Sequence, residues 1–298
     1  MWHKGVKYMS QQTDIGIFGG DQRQVYMTTA LLQEGYHVYT YRIAQSVKHE
    51  NCIQLSTLNE LFDHCNIVIG PIPLTRDLVS IASTSTSELT TNNLANLLTR
   101  DHYLIGGMIP STLTGICSTK GIMYYDLMKN EKIAILNAIA TAEGTIMEAI
   151  QSSDLNLHGS DCLVLGYGRC AKILASKLKA MDGKVTIAAR SEEALAYAQA
   201  AGLQTVLLSE IQTLLPVCDF IFNTIPSLIM DRDCLDCVKK NVTIIDIASA
   251  PGGVDYEYAM QKNIRAKLCL GLPGKVAPRT SANILVNEII GLIKERSD

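Results

Sequence analysis

What the sequence lacks narrows the reading first. Its 298 residues carry a net charge of only −3, with no basic stripe along any element. A nucleic-acid partner therefore has no electrostatic support. No uninterrupted apolar run reaches the roughly 18 residues that a bilayer span requires. The first fourteen residues, Met1 to Asp14, show no apolar h-region of the kind a secretory signal carries. There is no repeat of solenoid period, and no low-complexity tract beyond the Ser/Thr-rich stretch from Ser80 to Thr91, which reads as a surface loop with a short helix beside it. Histidine is absent after His158, so no imidazole from the last 140 residues or so can act as an acid or base. A D-2-hydroxy acid dehydrogenase mechanism, whose acid/base histidine comes late in the chain, is argued against on that ground.

Metal ligation is poorly supplied as well. The nine cysteines are odd in number and sit in apolar runs such as Cys162-Leu163-Val164-Leu165, which reads as reduced thiols in a cytoplasm serving as small hydrophobes. The one CxxC, Cys234 to Cys237, has neither a second pair nor a nearby histidine to complete a zinc site. It reads as two thiols on one helix, and no metal is expected.

What is present is α/β. Hydrophobic residues make up 47% and charged residues 18%, a balance that favours well-packed domains, and the length suffices for two. Short apolar runs ending at Gly or Pro alternate with helical stretches, as in parallel sheets with crossover helices. In the first half these runs are 14–18, 37–41, 66–69 and 103–106, with a helix at 22–33 closed by Gly35. Between Asp126 and Ile150 apolar residues recur at helical spacing, with a break expected around Thr141 to Gly144. Six further runs follow, at 162–165, 184–189, 205–208, 219–223, 242–247 and 267–270, the number that a complete dinucleotide-binding unit needs. The expected organisation is two doubly wound parallel-sheet domains, the second of Rossmann type. They comprise an amino-terminal substrate-side domain at 1–130, linking helices at 131–155, the cofactor domain at 156–276, and a final helix at 277–298 that packs back on the first domain.

The most informative motif is Gly166-Tyr167-Gly168-Arg169-Cys170-Ala171, a GxGxxA directly after an apolar strand and directly before a helical run. Gly166 permits the tight turn, Gly168 leaves room for pyrophosphate against the backbone, and Ala171 lets the helix pack closely on the strand. The helix start then presents unpaired N–H groups and the positive end of its dipole to phosphate. NAD-preferring sites place Asp or Glu at the end of the second strand. Here that strand ends in Arg190-Ser191, a guanidinium and a hydroxyl suited to a 2′-phosphate, so the cofactor is read as NADP. Two loops at strand ends, Asn223-Thr224-Ile225-Pro226 and Ala248-Ser249-Ala250-Pro251-Gly252-Gly253, suit the nicotinamide riboside. On the substrate side stand Asp21, Arg23, Thr141, Glu143 and, after the last strand, Lys275. Two cations with hydroxyls suit a small substrate bearing carboxylates.

The runs Gly19 to Arg23, Ala134 to Asn137 with Thr141 to Gly144, Gly166 to Arg169, Ala189 to Ser191, Asn223 to Pro226 and Gly271 to Pro278 resemble those of the family formed by the A subunits of dipicolinate synthase, over nearly the whole chain. The run Gly271-Leu272-Pro273-Gly274-Lys275-Val276-Ala277-Pro278 is the most specific of these, since it is not a general feature of the fold. The resemblance implies an oxidoreductase of a spore-forming bacterium that converts dihydrodipicolinate to dipicolinate and reduces NADP. It also implies a flavoprotein-like partner, the B subunit of dipicolinate synthase, and hence a hetero-oligomer. Within it, Arg23 and Lys275 would hold carboxylates with help from Thr141 and Ser249, and Glu143 or Asp21 would accept the proton. A shikimate-dehydrogenase-like reductase using Lys120 with Asp126 is one alternative. A non-catalytic NADP-binding regulatory protein is another.

Overall fold

The computed structural model describes residues 13–83 and 89–297. They divide into two compact units, Met1–Ile133 with Pro278–Asp298, and Ala134–Ala277.

The first unit contains β1 (Asp14–Phe18), α1 (Gln22–Gln33), β2 (His37–Tyr41), β3 (Cys52–Gln54), α2 (Leu58–His64), β4 (Ile67–Ile69), α3 (Thr91–Leu97), β5 (Tyr103–Gly106), α4 (Ser111–Lys120) and β6 (Met123–Asp126). The strands form one sheet of order β3-β2-β1-β4-β5-β6, and every pairing is parallel. This is doubly wound topology, reversing direction between β1 and β4. Alternate residues feed opposite faces. Ile15 and Ile17 join Met27 and Leu31 of α1 in one core layer, and Phe18 and Val68 join Leu61 and Leu94 in the other. Two strands, β3 and β6, escape sequence reading because they lie at the sheet edges. Their burial is partial, so the continuous apolar run that marks a central strand is missing. Of the Ser/Thr-rich stretch, residues 84–88 lie outside the described residues, while Thr91–Leu97 forms α3.

The chain passes to the second unit through α5 (Glu131–Gln151). The break expected around Thr141 to Gly144 does not occur: α5 is one helix of 21 residues. Gly144 serves packing rather than interruption, since a Cβ there would lie 3.1 Å from Leu272 Cβ and 3.3 Å from Val276 Cγ1. By length and mean apolar composition α5 meets the minimum for a membrane-crossing helix, although Glu143 and Glu148 interrupt its apolar residues, and half of its most apolar window is buried within the fold, as in a core helix.

The second unit continues with β7 (Asp161–Leu165), α6 (Arg169–Ala180), β8 (Lys184–Ala189), α7 (Glu192–Ala200), β9 (Gln204–Leu207), β10 (Phe220–Asn223), α8 (Arg232–Cys237), β11 (Thr243–Asp246), α9 (Tyr256–Gln261), β12 (Arg265–Leu268) and α10 (Leu272–Val276). Its sheet runs β12-β11-β10-β7-β8-β9, again all parallel, with the reversal between β7 and β10. The last strand starts two residues earlier than its apolar character indicates, because Arg265 and Lys267 alternate with Ala266 and Leu268 on an edge. The final helix, α11 (Pro278–Ser297), returns to the first unit. There Ala282, Leu285, Val286, Ile289 and Ile293 complete the core layer built on Ile15 and Ile17. Burying the leucine, valine and isoleucines among them stabilises that unit by roughly 1.5–3 kcal/mol each.

Candidate dinucleotide site

The turn between β7 and α6 is built as its residue types require. Gly166 has φ +95°, and a Cβ there would fall 2.5 Å from Thr224 Oγ1. Its N–H donates to Ala188 O at 2.8 Å, tying the turn to the end of β8. Gly168 is the N-cap of α6 and offers the helix no side-chain cap. Beyond its chain neighbours and the backbone of its own helix, no atom of the described residues lies within 4 Å of where its Cβ would stand. The opening therefore exposes the first N–H groups of a 12-residue helix to open space, the arrangement that receives phosphate. Ala171 is fully buried beside Leu174 and Val164. Tyr167 packs against the same cluster, with Lys172 Nζ 5.5 Å from its ring centroid. Arg169 is exposed at the first helical position, and Cys170 is half-buried, its thiol pushed up by burial while Arg169 and a hydrogen bond with Thr141 work against that.

Arg190 follows β8, exposed and without an ion pair among the described residues. Ser191 caps α7 by accepting from Ala194 N at 3.3 Å, so its hydroxyl proton remains available for donation.

The two loops next to this turn are organised by a residue that sequence reading passed over. Asp246, at the end of β11 and fully buried, accepts from Asn223 Nδ2 at 3.0 Å, Ala248 N at 2.8 Å, Gly253 N at 2.6 Å and Tyr256 Oη at 2.7 Å. Four donors, and no cation among the described residues, surround this carboxylate. Hydrogen bonds to a charged acceptor are stronger than neutral ones and let it remain buried. Burial and the bond to Asp246 push the Tyr256 phenol far above its ordinary value. Asn223 is consumed by this framework: it is fully buried, and its amide bridges Asp246, Ile225 O and Ile225 N. It shapes the loop instead of facing a ligand. Thr224 Oγ1 donates to Leu165 O at 2.8 Å, Ile225 is half-buried, Pro226 and Ser249 are exposed, and Ala248 is buried. Nothing in the sequence marked Asp246, because an acidic residue ending an apolar strand looks like any surface terminus.

Thr141 and Glu143 face α6. Thr141 donates to Asn137 O within its helix and is hydrogen-bonded to the Cys170 thiol, and Glu143 pairs with Lys177 at 2.9 Å. Lys275 lies exposed on α10, the short helix whose Leu272 and Val276 pack on Gly144, and makes no ion pair among the described residues.

In the first unit the comparable turn is closed. Asp21 caps α1, its Oδ1 accepting from Arg23 N and Nε and its Oδ2 from Arg23 Nη2. Burial opposes ionisation of Asp21, but its bonds to Arg23 prevail and its pKa is lowered. Gln24 folds back over Gly20, its amide standing where a Cβ of residue 20 would be. Carboxylate and amide thus fill the position that stands open in the second unit. Arg23 is buried and also donates through Nη2 to Ile72 O.

Lys120 and Asp126, the pair a shikimate-type reductase would need, do not meet. Lys120 Nζ donates to Ala95 O at 2.8 Å, and Asp126 accepts from Met108, Ile109 and Met128 N–H groups. Cys234 is buried on α8, its thiol pushed up to about 11, chiefly by burial, opposite to what a redox thiol requires. Among the described residues no group of three or more His, Cys, Asp or Glu is placed to hold a metal ion.

A reversal of strand order, a capless glycine opening and a helix start above it define a nicotinamide-dinucleotide-binding protein of two α/β units. Residues 128–267 match the family model for the NAD binding domain of D-isomer specific 2-hydroxyacid dehydrogenases. Residues 14–128 match the family model for the N-terminal domain of the dipicolinate synthase A subunit. The A subunit of dipicolinate synthase from Bacillus subtilis (strain 168) is 32% identical over 290 residues, covering 94% of this chain and 96% of that protein. The crystal structure of the same protein from Bacillus halodurans is 30% identical with a TM-score of 0.85, covering 94% of this chain and 97% of that one. Its Bacillus subtilis counterpart, also a crystal structure, is 30% identical with a TM-score of 0.84, over 97% and 98%. The chain belongs to the family of dipicolinate synthase A subunits.

Proposed function

We propose that this protein oxidises dihydrodipicolinate to dipicolinate with NADP as hydride acceptor, working in the cytoplasm of a sporulating cell beside a flavoprotein-like B subunit. The capless opening at Gly168, with Arg190 on the neighbouring strand end, is the observation that carries the cofactor assignment. Membership of a family named for one component of a synthase supports the second component. The opening at Gly168 with Arg190 would hold NADP, which would supply the hydride acceptor for the dihydropyridine ring. Loss of a ring proton then completes an aromatic product, so the protein needs only a modest base and firm orientation.

Glu143 is the better placed of the two candidate acceptors. One of its carboxylate oxygens is free of bonds among the described residues, whereas both oxygens of Asp21 are occupied by Arg23. Asp21 then acts by holding Arg23, and Lys275, with Thr141 and Ser249, is assigned to substrate carboxylates. Glu143→Gln should lower kcat about 100-fold with little change in the NADP KM. An unchanged kcat in steady-state assays would move the base elsewhere.

Arg190→Asp should raise the KM for NADP by about 50-fold or more and leave that for NAD nearly unchanged, since the guanidinium would lose charge-assisted bonds to the 2′-phosphate. Equal effects on both cofactors would remove the NADP assignment. The reading as a whole is tested by mixing the two purified components with freshly made dihydrodipicolinate and NADP, and following reduced nicotinamide at about 340 nm. Absence of turnover would refute it.

A further inference from the structure

A second cation stands beside the opening at Gly168. Lys172 lies one helical turn further along α6, its N–H donating to Gly168 O at 2.9 Å, and so shares a helix face with that glycine. Long side chains on a helix lean back toward its amino terminus and cover the turn before their own Cα. Lys172 does so. Its Nζ lies over the ring of Tyr167, the residue between the two glycines of the turn, 5.5 Å from the centroid. It also lies over the ring of Tyr197 on α7, again at 5.5 Å. Two aromatic faces thus hold the ammonium at the edge of the phosphate opening.

The charge of Lys172 is left whole. Of the other lysines of α6, Lys177 pairs with Glu143, and Lys179 donates to Ala201 O and Gly202 O. Lys172 makes no ion pair or side-chain hydrogen bond among the described residues, and Glu192 and Glu193, the acids in the first turn of α7, do not pair with it. Aromatic faces attract a cation through their quadrupole and fix its place, but they carry no net charge to neutralise it. Tyr197 is 60% exposed and outside the core clusters of this unit, so its ring serves the lysine more than the fold.

The same arrangement adjoins the end of β8. Gly166 N donates to Ala188 O, which fixes the turn bearing Tyr167 two residues before Arg190. The next residue, Ser191, caps the helix that carries Tyr197. A phosphomonoester carries roughly −1.5 to −2 charges near neutral pH, and one guanidinium balances only part of that.

We propose that Lys172 is a second specificity residue for NADP, its ammonium meeting the adenosine 2′-phosphate beside Arg190 while Tyr167 and Tyr197 hold it in place. The assignment rests on the reading of the cofactor as NADP.

The test is calorimetric titration of the whole chain, free of cofactor, with NADP, NAD and adenosine 2′,5′-bisphosphate. Lys172→Met keeps an apolar stem against the two rings and removes the charge. It should weaken NADP and the bisphosphate about 10-fold, and NAD less than about 2-fold. Lys172→Arg should keep NADP affinity within about 3-fold of the unmodified protein, since a guanidinium also stacks on aromatic faces. Tyr197→Ala should cost NADP about 3-fold through lost orientation, with the melting temperature unchanged. Unaltered NADP affinity in Lys172→Met would overturn the assignment. So would equal weakening of NADP and NAD, which would put the ammonium on pyrophosphate instead. Arg190→Asp, titrated in parallel, separates this from the cofactor reading beneath it. If Arg190→Asp abolishes the preference for NADP while Lys172→Met retains it, the lysine falls and NADP stands. If the unmodified protein binds NAD as tightly as NADP, the cofactor reading fails and takes the lysine's role with it.

Discussion

Gly168→Val should leave the protein folded and weaken nicotinamide dinucleotide binding by about 100-fold or more, a loss of roughly 2.7 kcal/mol. Gly168 has φ −80°, a conformation open to any residue, so the substitution meets no backbone obstacle. Its ideal Cβ also meets no atom of the described residues within 4 Å beyond its own local chain, so none of them must move. The melting temperature should shift by only a few degrees, about what exchanging a glycine N-cap for a β-branched residue costs. The added methyls would stand in the space through which a pyrophosphate reaches the first N–H groups of α6. Gly166→Ala is the contrasting case. There φ is +95° and the new Cβ would sit 2.5 Å from Thr224 Oγ1, so the turn itself should deform and stability should fall with binding. Calorimetry with NADP beside thermal melting separates the two. Wild-type affinity in Gly168→Val would mean that no dinucleotide lies over this helix start.

The second large effect is expected at Asp246. Replacing it with Ala would strand the Asn223 amide, two backbone N–H groups and the Tyr256 hydroxyl, all tied to that carboxylate beneath the loops after β10 and β11. Removing a buried charged partner from such a network costs about 3–5 kcal/mol, which lowers the melting temperature of the second unit by roughly 6–20 °C. Tyr256→Phe deletes one donor of four and should cost only about 1 kcal/mol. Asp246→Asn should fall between them, because its amide group places hydrogens against at least one of the existing donors. Cofactor affinity should decline in the same order, since the two loops lose the anchor that sets their shape. An Asp246→Ala protein that melts with the unmodified one would show that water or rearranged neighbours satisfy these donors equally well.

These expectations also explain why two sheets of one topology differ in role. Both reverse direction at a glycine turn. In the first unit, Asp21 caps the helix and Gln24 closes over Gly20, so no room and no positive helix end remain for phosphate. In the second unit the cap is a glycine with empty space above it. The capping residue, together with the side chain folded over the turn glycine, decides which turn is able to receive a dinucleotide.

Much of this was legible in the chain before any fold was known. The strand-turn-helix at Leu165 to Ala171 is local, and each of its small residues answers a local steric demand, so spacing alone identified it. Arg190-Ser191 followed from counting one strand further. The central strands were visible because burial on both faces forces a continuous apolar run, whereas the edge strands β3 and β6, half-exposed, carried no such mark. Gly144 looked like a helix break, because a glycine's packing partners, here Leu272 and Val276, lie more than a hundred residues away. Only the tertiary structure could show that Asn223 is spent on Asp246, that both oxygens of Asp21 are taken by Arg23, and that Arg23 is itself buried. Residue type and near-neighbour spacing fix what a group is able to do. Whether its donors and acceptors are already satisfied depends on partners that the chain brings together from a distance, and that remainder is what is left for a ligand.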